Sequence, residues 1–233
     1  SSRVKQRNSL PSLLSAYSAP IVKSSWLYIL ITRSSILTKV SYICEMDLIE
    51  LYNDKFAHFS DKGNVHTYIQ KYYSEEFFMP QRIKNVLEIG TMSGGSIMMW
   101  HNWFPSANIV GLDSDENALI EFNKNCGEDD YDRAQVRITD AYTQESLDSF
   151  KDNHFDYIID DGPHSLESQQ YAVKHYLCKV RPGGKLIIED VQQISWLKEL
   201  MDVADPELVA SHKEVVLDIK RRSDDIILEI TRK

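Results

Sequence analysis

The sequence has few of the residues that build cross-linked or extended proteins. Only three cysteines, Cys44, Cys126 and Cys178, occur among 233 residues, and none belongs to a Cys-x-x-Cys pair. An odd, uneven set argues against a disulfide framework and a zinc site and fits a reducing compartment, so we expect a cytoplasmic protein. Nine glycines and seven prolines give no sign of a collagen-like or extended disordered chain.

Long apolar runs and positive charge are also scarce. No apolar run reaches the roughly 18–20 residues that a membrane-spanning helix needs, so we expect no membrane partner. The chain has 26 Lys and Arg against 35 Asp and Glu, a formal net charge of −9. So acidic a chain is a poor electrostatic match for phosphate backbones, and we expect no nucleic-acid partner, although a local basic patch remains compatible with this balance.

Residues 1–45 differ in composition from the rest of the chain. They contain six basic residues, one acidic residue (Glu45) and many serines. This composition is typical of a transit peptide, but it also fits sequence upstream of a natural start at Met46. We favour the second interpretation, because every recognisable pattern lies after Met46. We therefore expect an amino-terminal extension at 1–45 and one domain at 46–233.

Strand-like and helix-like patterns alternate after Met46, and the chain ends in two β-rich segments. Such alternation indicates a doubly wound parallel sheet, and the two last segments, joined by a short turn, must pair antiparallel. The predicted fold is α/β, a Rossmann-like seven-stranded sheet with a carboxy-terminal antiparallel β-hairpin. The expected strands are Asn85–Ile89, Asn108–Leu112, Gln135–Ile138, Phe155–Ile159, Lys185–Ile188, Glu214–Ile219 and Asp225–Thr231.

A glycine-containing turn joins the first of these strands to a predicted helix that begins at Ser96. Glycines let the backbone approach a ligand closely, and a helix start offers free N–H groups. A dinucleotide-binding turn would read G-x-G-x-x-G, and Met92 takes the place of its second glycine, which counts against an NAD-linked oxidoreductase. The pattern E-x-G-x-x-x-G of Glu88, Gly90 and Gly94 instead resembles the first motif of class I S-adenosylmethionine (SAM) dependent methyltransferases. An ordinary glycine-capped turn is the alternative.

Two carboxylates follow the next two strands. Asp113 ends the second strand, where an acidic side chain can accept both ribose hydroxyls of a nucleoside, in SAM folds and NAD folds alike. Asp140 ends the third strand, and the methyltransferase resemblance implies that it meets the adenine amino group. A helix N-cap is the alternative for Asp140. The predicted cofactor-binding residues are Glu88, Gly90, Gly94, Ser96, Asp113 and Asp140.

The fourth and fifth strands both end in acidic residues, Asp160-Asp161 and Glu189-Asp190. Neighbouring strands lie about 4.8 Å apart, so these carboxylates should converge, and like charges at that distance call for a cation. Oxygen ligands without cysteine favour Mg²⁺, with Mn²⁺ as a substitute. Because successive strand residues face opposite sides, we favour Asp161, with Glu189 and Asp190, as the metal ligands.

These acidic segments make the resemblance more specific. Asp161-Gly162-Pro163-His164 and Glu189-Asp190 resemble the D-G-x-H and Glu-Asp motifs of metal-dependent sugar O-methyltransferases of macrolide biosynthesis, of the mycinamicin and macrocin type. They also resemble the related cephalosporin-hydroxylase-like group. Ser60-Asp61-Lys62-Gly63, with His66 and Tyr68, is similar to a segment ahead of the first motif in those enzymes. The similarity covers about residues 55–231, and Pro163 departs from the small polar residue expected there.

The resemblance implies a mechanism and a class of substrate. A cation at Asp161 would orient one or two hydroxyls of a small acceptor such as a sugar or another diol, and His164 would remove the proton as general base. The resemblance also suggests a homo-oligomer. Three alternatives stay open: a metal-independent methyltransferase, a SAM-binding protein without transfer activity, and a purely structural origin of the motifs, with His164 as a turn residue and Glu189-Asp190 as a solvated strand end.

Overall fold

The computed structural model describes residues 46–127, 129–217 and 224–233, so the predicted extension 1–45 lies outside the described residues. Its centre is a seven-stranded sheet. The strands are β1 (Asn85–Ile89), β2 (Asn108–Asp113), β3 (Ala134–Ile138), β4 (Phe155–Asp160), β5 (Val180–Ile188), β6 (Val209–Val216) and β7 (Ile226–Arg232).

The strand order is β3-β2-β1-β4-β5-β7-β6. The first five strands pair parallel, whereas β7 pairs antiparallel with both β5 and β6. The carboxyl ends of β1 to β5 therefore meet at one edge of the sheet, where ligands of doubly wound folds bind. The predicted fold class is confirmed, including the antiparallel hairpin at the carboxyl terminus.

Seven α-helical segments of the described chain flank this sheet. They are α1 (Leu48–Leu51), α2 (Ser74–Glu76), α3 (Gly95–Trp103), α4 (Glu116–Cys126), α5 (Gln144–Asp148), α6 (Leu166–Tyr171) and α7 (Ile194–Asp202). Side-chain oxygens accept hydrogen bonds from free N–H groups at several helix starts: Asp115 caps α4, Thr143 caps α5 and Ser165 caps α6. The described residues contain no helix that is both long and apolar enough to cross a lipid bilayer.

Apolar side chains fill both faces of the sheet. Along β1, Val86 belongs to one core cluster and Leu87 to the other, because successive strand residues point to opposite sides. The residues around Trp100 fill the first cluster, in which its ring meets Phe77 and Tyr73 at centroid distances of 5.3 and 5.1 Å. Burial on both faces explains why the central strands read as continuous apolar runs in the sequence.

Two predicted boundaries were wrong. The sixth strand was predicted at Glu214–Ile219, but β6 spans Val209–Val216, and Ile219 lies outside the described residues. It is an edge strand with mostly exposed side chains, so it lacks the apolar pattern that marks buried strands. The fifth strand was predicted to begin at Lys185, but β5 begins at Val180, and the glycine turn before Lys185 is a bulge within it.

A buried carboxylate at the start of β4 ties three strands together. Asp156 Oδ2 accepts hydrogen bonds from the backbone N–H groups of Lys84 and Asn85, both at 2.8 Å. Its Oδ1 accepts from Arg181 Nε at 2.5 Å. Asp156 therefore joins the beginnings of β1 and β5 to β4, at the end of the sheet opposite to the converging acidic residues.

We predict that Asp156→Ala destabilises the domain by about 2–4 kcal/mol, because it removes a buried charge partner and leaves two backbone donors without an acceptor. The matched control is Asp202→Ala, which removes the partner of Lys198 in a pair whose two side chains are both exposed, and it should cost less than about 1 kcal/mol. Urea unfolding followed by circular dichroism measures both. Equal losses in the two variants would contradict the role given to Asp156.

Candidate active site

The glycine turn after β1 adopts a backbone that few residues tolerate. Gly90 and Gly94 have φ angles of +82° and +78°, in the left-handed region that glycine enters without steric cost. A Cβ at Gly90 would lie 2.0 Å from the carbonyl oxygen of Asp161. The turn therefore packs directly against the segment that follows β4, and Gly90 is required by this close approach.

Asp113, at the end of β2, holds this turn in place. Its Oδ2 accepts hydrogen bonds from the backbone N–H groups of Thr91 and Met92 at 2.9 and 3.0 Å, and its Oδ1 accepts from Asp115 N at 2.9 Å. Asp113 also lines the cavity described next. The carboxylate predicted to bind ribose thus fixes the glycine turn as well.

A cavity of 710 Å³ opens at the carboxyl ends of β1 to β4. Gly90, Asp113, Asp140 and Asp161 are in its wall. Asp140 is exposed and accepts a hydrogen bond from Tyr142 N at 2.9 Å, while the N-cap of α5 is Thr143. The structure therefore brings three of the predicted cofactor-binding residues to one cavity of the size that takes a small molecule.

A second cavity of 280 Å³ lies on the other side of the glycine turn. Its wall contains the segment from His58 to Val65 and the predicted cofactor residue Ser96. Gly90, Met92 and Asp161 line both cavities. A ligand with two arms could therefore lie across Gly90 with one arm in each cavity.

Glu88 lines neither of these two cavities. It is fully buried in β1, where Oε2 accepts a hydrogen bond from Trp100 Nε1 at 3.0 Å and Oε1 lies 3.2 Å from Lys62 Nζ. Gly94 precedes α3, and a Cβ there would collide with the ring of Phe122. These two positions, which were predicted to bind the cofactor, support the glycine turn from within the fold.

Asp161, His164 and Asp190 converge where β4 and β5 end. His164 Nε2 lies 3.2 Å from Asp161 Oδ1 and 3.6 Å from Asp190 Oδ2. One ligand atom from each of the three residues lies within 4.8 Å of the others, a spacing that can hold a metal ion. His164 and Asp190 have φ angles of +55° and +52°, which are costly for residues other than glycine.

Charge and burial set the pKa values of this group. Burial opposes charge on both Asp161 and His164, but Lys62 and His164 lower the pKa of Asp161 to about 2. Hydrogen bonding to Asp161, with the nearby charges of Asp161 and Asp190, raises the pKa of His164 above its usual value. For Asp190, burial and the charge of Asp161 raise the pKa. The imidazole is therefore a stronger base than a free histidine.

Asp160 faces away from this group. It is fully buried, accepts a hydrogen bond from the Tyr142 hydroxyl at 2.5 Å, and has its pKa raised to about 7 by burial. The side chain of Tyr142 packs over Gly162, where a Cβ would lie 2.1 Å from its hydroxyl oxygen. Asp160 thus fixes Tyr142 in the wall of the larger cavity. Its side chain points away from that of Asp161, as expected for successive residues of a strand.

The predicted ligand Glu189 points into the interior. It is fully buried, one oxygen contacts Lys62 Nζ, and the other accepts a hydrogen bond from the Tyr73 hydroxyl. It is absent from the three-residue group that the described residues offer to a metal ion. No role for Lys62 or Tyr73 was predicted from the sequence, and the only signal for Lys62 was its place in the Ser60-Asp61-Lys62-Gly63 segment.

Two further residues border the acidic group. The Tyr68 hydroxyl donates to Asp190 Oδ1, and the ring of Tyr68 stacks on His66 at a centroid distance of 4.7 Å. His66 Nδ1 lies 2.7 Å from Asp225 Oδ1 and 3.5 Å from Asp190 Oδ1. The segment from Lys62 to Tyr68 therefore covers one side of the site.

Comparisons with known proteins agree with this geometry. Residues 87–191 match the model of a methyltransferase domain family. A rhamnosyl tetracenomycin-C 2′-O-methyltransferase of Streptomyces olivaceus is 30% identical over 151 residues, which are 60% of this chain and 37% of that protein. Mycinamicin VI 2″-O-methyltransferase of Micromonospora griseorubida is 30% identical over 163 residues, 64% of this chain and 37% of that protein. The chain thus spans little more than a third of the length of these relatives.

Solved structures show the same fold. MycE methyltransferase, in complex with Mg, S-adenosylhomocysteine (SAH) and mycinamycin VI, matches with a TM-score of 0.59 and 22% identity over 80% of this chain and 54% of that chain. An SAH-bound methyltransferase of Podospora anserina matches with a TM-score of 0.54 and 18% identity over 88% of this chain and 99% of its own. Residues 87–191 are thus similar to the methyltransferase domain family, the chain resembles the two O-methyltransferases named above, and its fold is that of the solved methyltransferases.

Proposed function

We propose that the protein is a SAM-dependent O-methyltransferase that methylates a hydroxyl group of a small sugar-like or other diol acceptor with the help of Mg²⁺. The observation that supports this most is the position of Asp161. It lies in the wall of both cavities beside the glycine turn and also belongs to the group with His164 and Asp190. The relatives named above act on sugar-bearing molecules, which fits the same substrate class.

The two cavities fit the two arms of SAM. The larger cavity, with Asp113 and Asp140 in its wall, suits the nucleoside, because carboxylates at the ends of β2 and β3 can accept from ribose hydroxyls and the adenine amino group. The smaller cavity, with free N–H groups at the start of α3 and the nearby Ser60 and Ser96, suits the amino-acid arm. When bound, SAM supplies a methyl group on a positively charged sulfur.

A divalent cation fits the oxygens of Asp161 and Asp190, which lie beside His164 in the described group. Carboxylate oxygens are the ligands that Mg²⁺ and Mn²⁺ prefer. When bound, the cation orients acceptor hydroxyls and lowers their pKa. Glu189, the third predicted ligand, faces Lys62 and Tyr73 instead.

His164 is the general base of the proposed reaction. Its side chain is 31% exposed. Because ionised Asp161 can only accept a hydrogen bond, Nε2 donates to Asp161 Oδ1, and the other ring nitrogen, Nδ1, is the one that takes the proton of a substrate hydroxyl. Asp161 and Asp190 stabilise the resulting imidazolium. The acceptor oxygen, freed of its proton, then forms a bond to the methyl carbon while the bond from that carbon to sulfur breaks. The homo-oligomeric state that the resemblance suggests stays a prediction.

The first test is calorimetric titration of Mn²⁺ into protein saturated with SAH. We expect the wild type to bind one ion and Asp161→Asn to bind it at least tenfold more weakly, about 1.4 kcal/mol, because one charged ligand is lost. Asp202→Asn, which changes an exposed carboxylate of α7, should bind like the wild type. No binding by the wild type would reject the metal-assisted reaction and favour a metal-independent or non-catalytic SAM-binding protein.

A second test concerns the cofactor. Asp113→Asn should weaken SAH binding by about tenfold or more, because an amide offers one acceptor oxygen where the glycine turn and ribose need several. Asp115→Asn is a matched control two residues away, since asparagine caps a helix as well as aspartate does. Calorimetric titration of SAH measures both variants. Equal affinities for the two would mean that Asp113 has no part in nucleoside binding.

A third test separates chemistry from binding. Once a sugar-bearing acceptor has been found by measuring SAH release, His164→Ala should lower kcat by about 10²–10⁴-fold, the usual contribution of a general base. SAH affinity should not change, because His164 is not in the wall of either cavity. His212→Ala, on the exposed strand β6, is the control. A kcat within a factor of about three of the wild type would exclude His164 as the base.

A further inference from the structure

Lys62 is a fully buried lysine at the edge of the sheet where the acidic ends of β1, β4 and β5 meet. Its side chain is 2% exposed, and its Nζ lies 2.6 Å from Asp161 Oδ2, 3.2 Å from Glu88 Oε1 and in contact with Glu189 Oε2. The three carboxylates come from the ends of β1, β4 and β5. One ammonium group from a loop outside the sheet thus joins three neighbouring strands.

Each of these carboxylates uses its second oxygen for a different donor. Glu88 Oε2 accepts from Trp100 Nε1, Glu189 Oε1 accepts from the Tyr73 hydroxyl, and Asp161 Oδ1 faces His164 Nε2. For Glu88 and Glu189, both buried at 0% exposure, the second donor belongs to the apolar core. Asp161 alone of the three has its second oxygen on the side of His164 and the cavities.

The loop that carries Lys62 is held firmly. Tyr52 donates a hydrogen bond to the carbonyl oxygen of Ser60 at 2.7 Å, and Ile69 N donates to that of Lys62 at 3.1 Å. The ring of Tyr52 covers Gly63, where a Cβ would lie 2.4 Å from the ring. The backbone that carries Lys62 is therefore held by contacts that involve none of the carboxylates.

We propose that Lys62 is the resident counter-cation of Glu88 and Glu189, and that Glu189 is consequently not a ligand of the divalent cation. The acidic residues are then divided into a sealed pair, Glu88 and Glu189, whose oxygens face Lys62, Trp100 and Tyr73, and an open pair, Asp161 and Asp190, beside His164. Asp161 contacts Lys62 through Oδ2 and keeps Oδ1 on the side of the cation. This inference rests on the proposed metal-assisted function. It departs from the sequence prediction, in which Glu189 was a metal ligand.

The test compares the same chemical change at adjacent residues. Mn²⁺ is titrated into SAH-saturated wild type, Glu189→Gln and Asp190→Asn. We expect Glu189→Gln to keep the wild-type Kd within about threefold and Asp190→Asn to weaken it more than about tenfold. If Glu189→Gln weakens binding as much as Asp190→Asn does, Glu189 is a ligand and the proposal is overturned.

A second measurement needs no metal and separates this inference from the proposed function. Lys62→Met should lower Tm by on the order of 10 °C, because it leaves buried carboxylates without a counter-charge. Adding Glu189→Gln to Lys62→Met should raise Tm again, although Glu189→Gln alone does not stabilise the wild type. If Lys62→Met alone does not fold, cooperative melting of the double variant shows equally that Lys62 neutralises Glu189.

Losses of Tm that simply add, or no recovery in the double variant, would show that Lys62 does not neutralise Glu189. If the wild type binds no Mn²⁺, the metal-assisted function fails, and the melting comparison decides by itself whether Lys62 is the counter-cation. The two claims therefore fail on different measurements.

Discussion

The arrangement of the site depends on one buried ion cluster, in which Lys62 Nζ contacts carboxylates from the ends of three parallel strands. Three such carboxylates would repel one another in a low-dielectric interior without a cation among them. One positive charge does not fully balance three negative ones. Burial accordingly raises the pKa values of Glu88 and Glu189 against the influence of Lys62, whereas the pKa of Asp161 falls to about 2. Asp161 is thus kept ionised where the cavities meet.

The convergence of the acidic residues could be predicted from the sequence, because the carboxyl ends of parallel strands in a doubly wound sheet meet at one edge. Asp113, Asp161 and Asp190 each follow an apolar strand, and the structure brings all three to that edge. Lys62 could not be found in this way. It lies 99 residues from Asp161 in the sequence, in a loop with no periodic pattern, and a lysine in such a loop usually faces solvent.

The direction in which Glu189 points shows a second limit of sequence reasoning. The rule that successive residues of a strand face opposite sides separates Asp160 from Asp161, and the structure keeps those two side chains apart. The same alternation applies to Glu189 and Asp190, which were both predicted to bind the metal. Asp190 takes a positive φ angle as it leaves β5, and its side chain lies beside His164, while Glu189 lies beside Tyr73 and Lys62. The backbone conformation of Asp190 decides which of the two side chains lies beside His164, and no sequence pattern predicts that conformation.

Backbone conformation also links the fold to the proposed chemistry. Among the described residues, four that are not glycine have a positive φ angle, and three of them, Met92, His164 and Asp190, lie at the site. Each such residue costs on the order of 1–3 kcal/mol, which the surrounding structure must offset. Hydrogen bonds from Thr91 and Met92 to Asp113, and from Tyr68 to Asp190, supply that support locally. These hydrogen bonds hold the glycine turn and Asp190 in place before any ligand arrives, so in the proposed reaction binding need not order them.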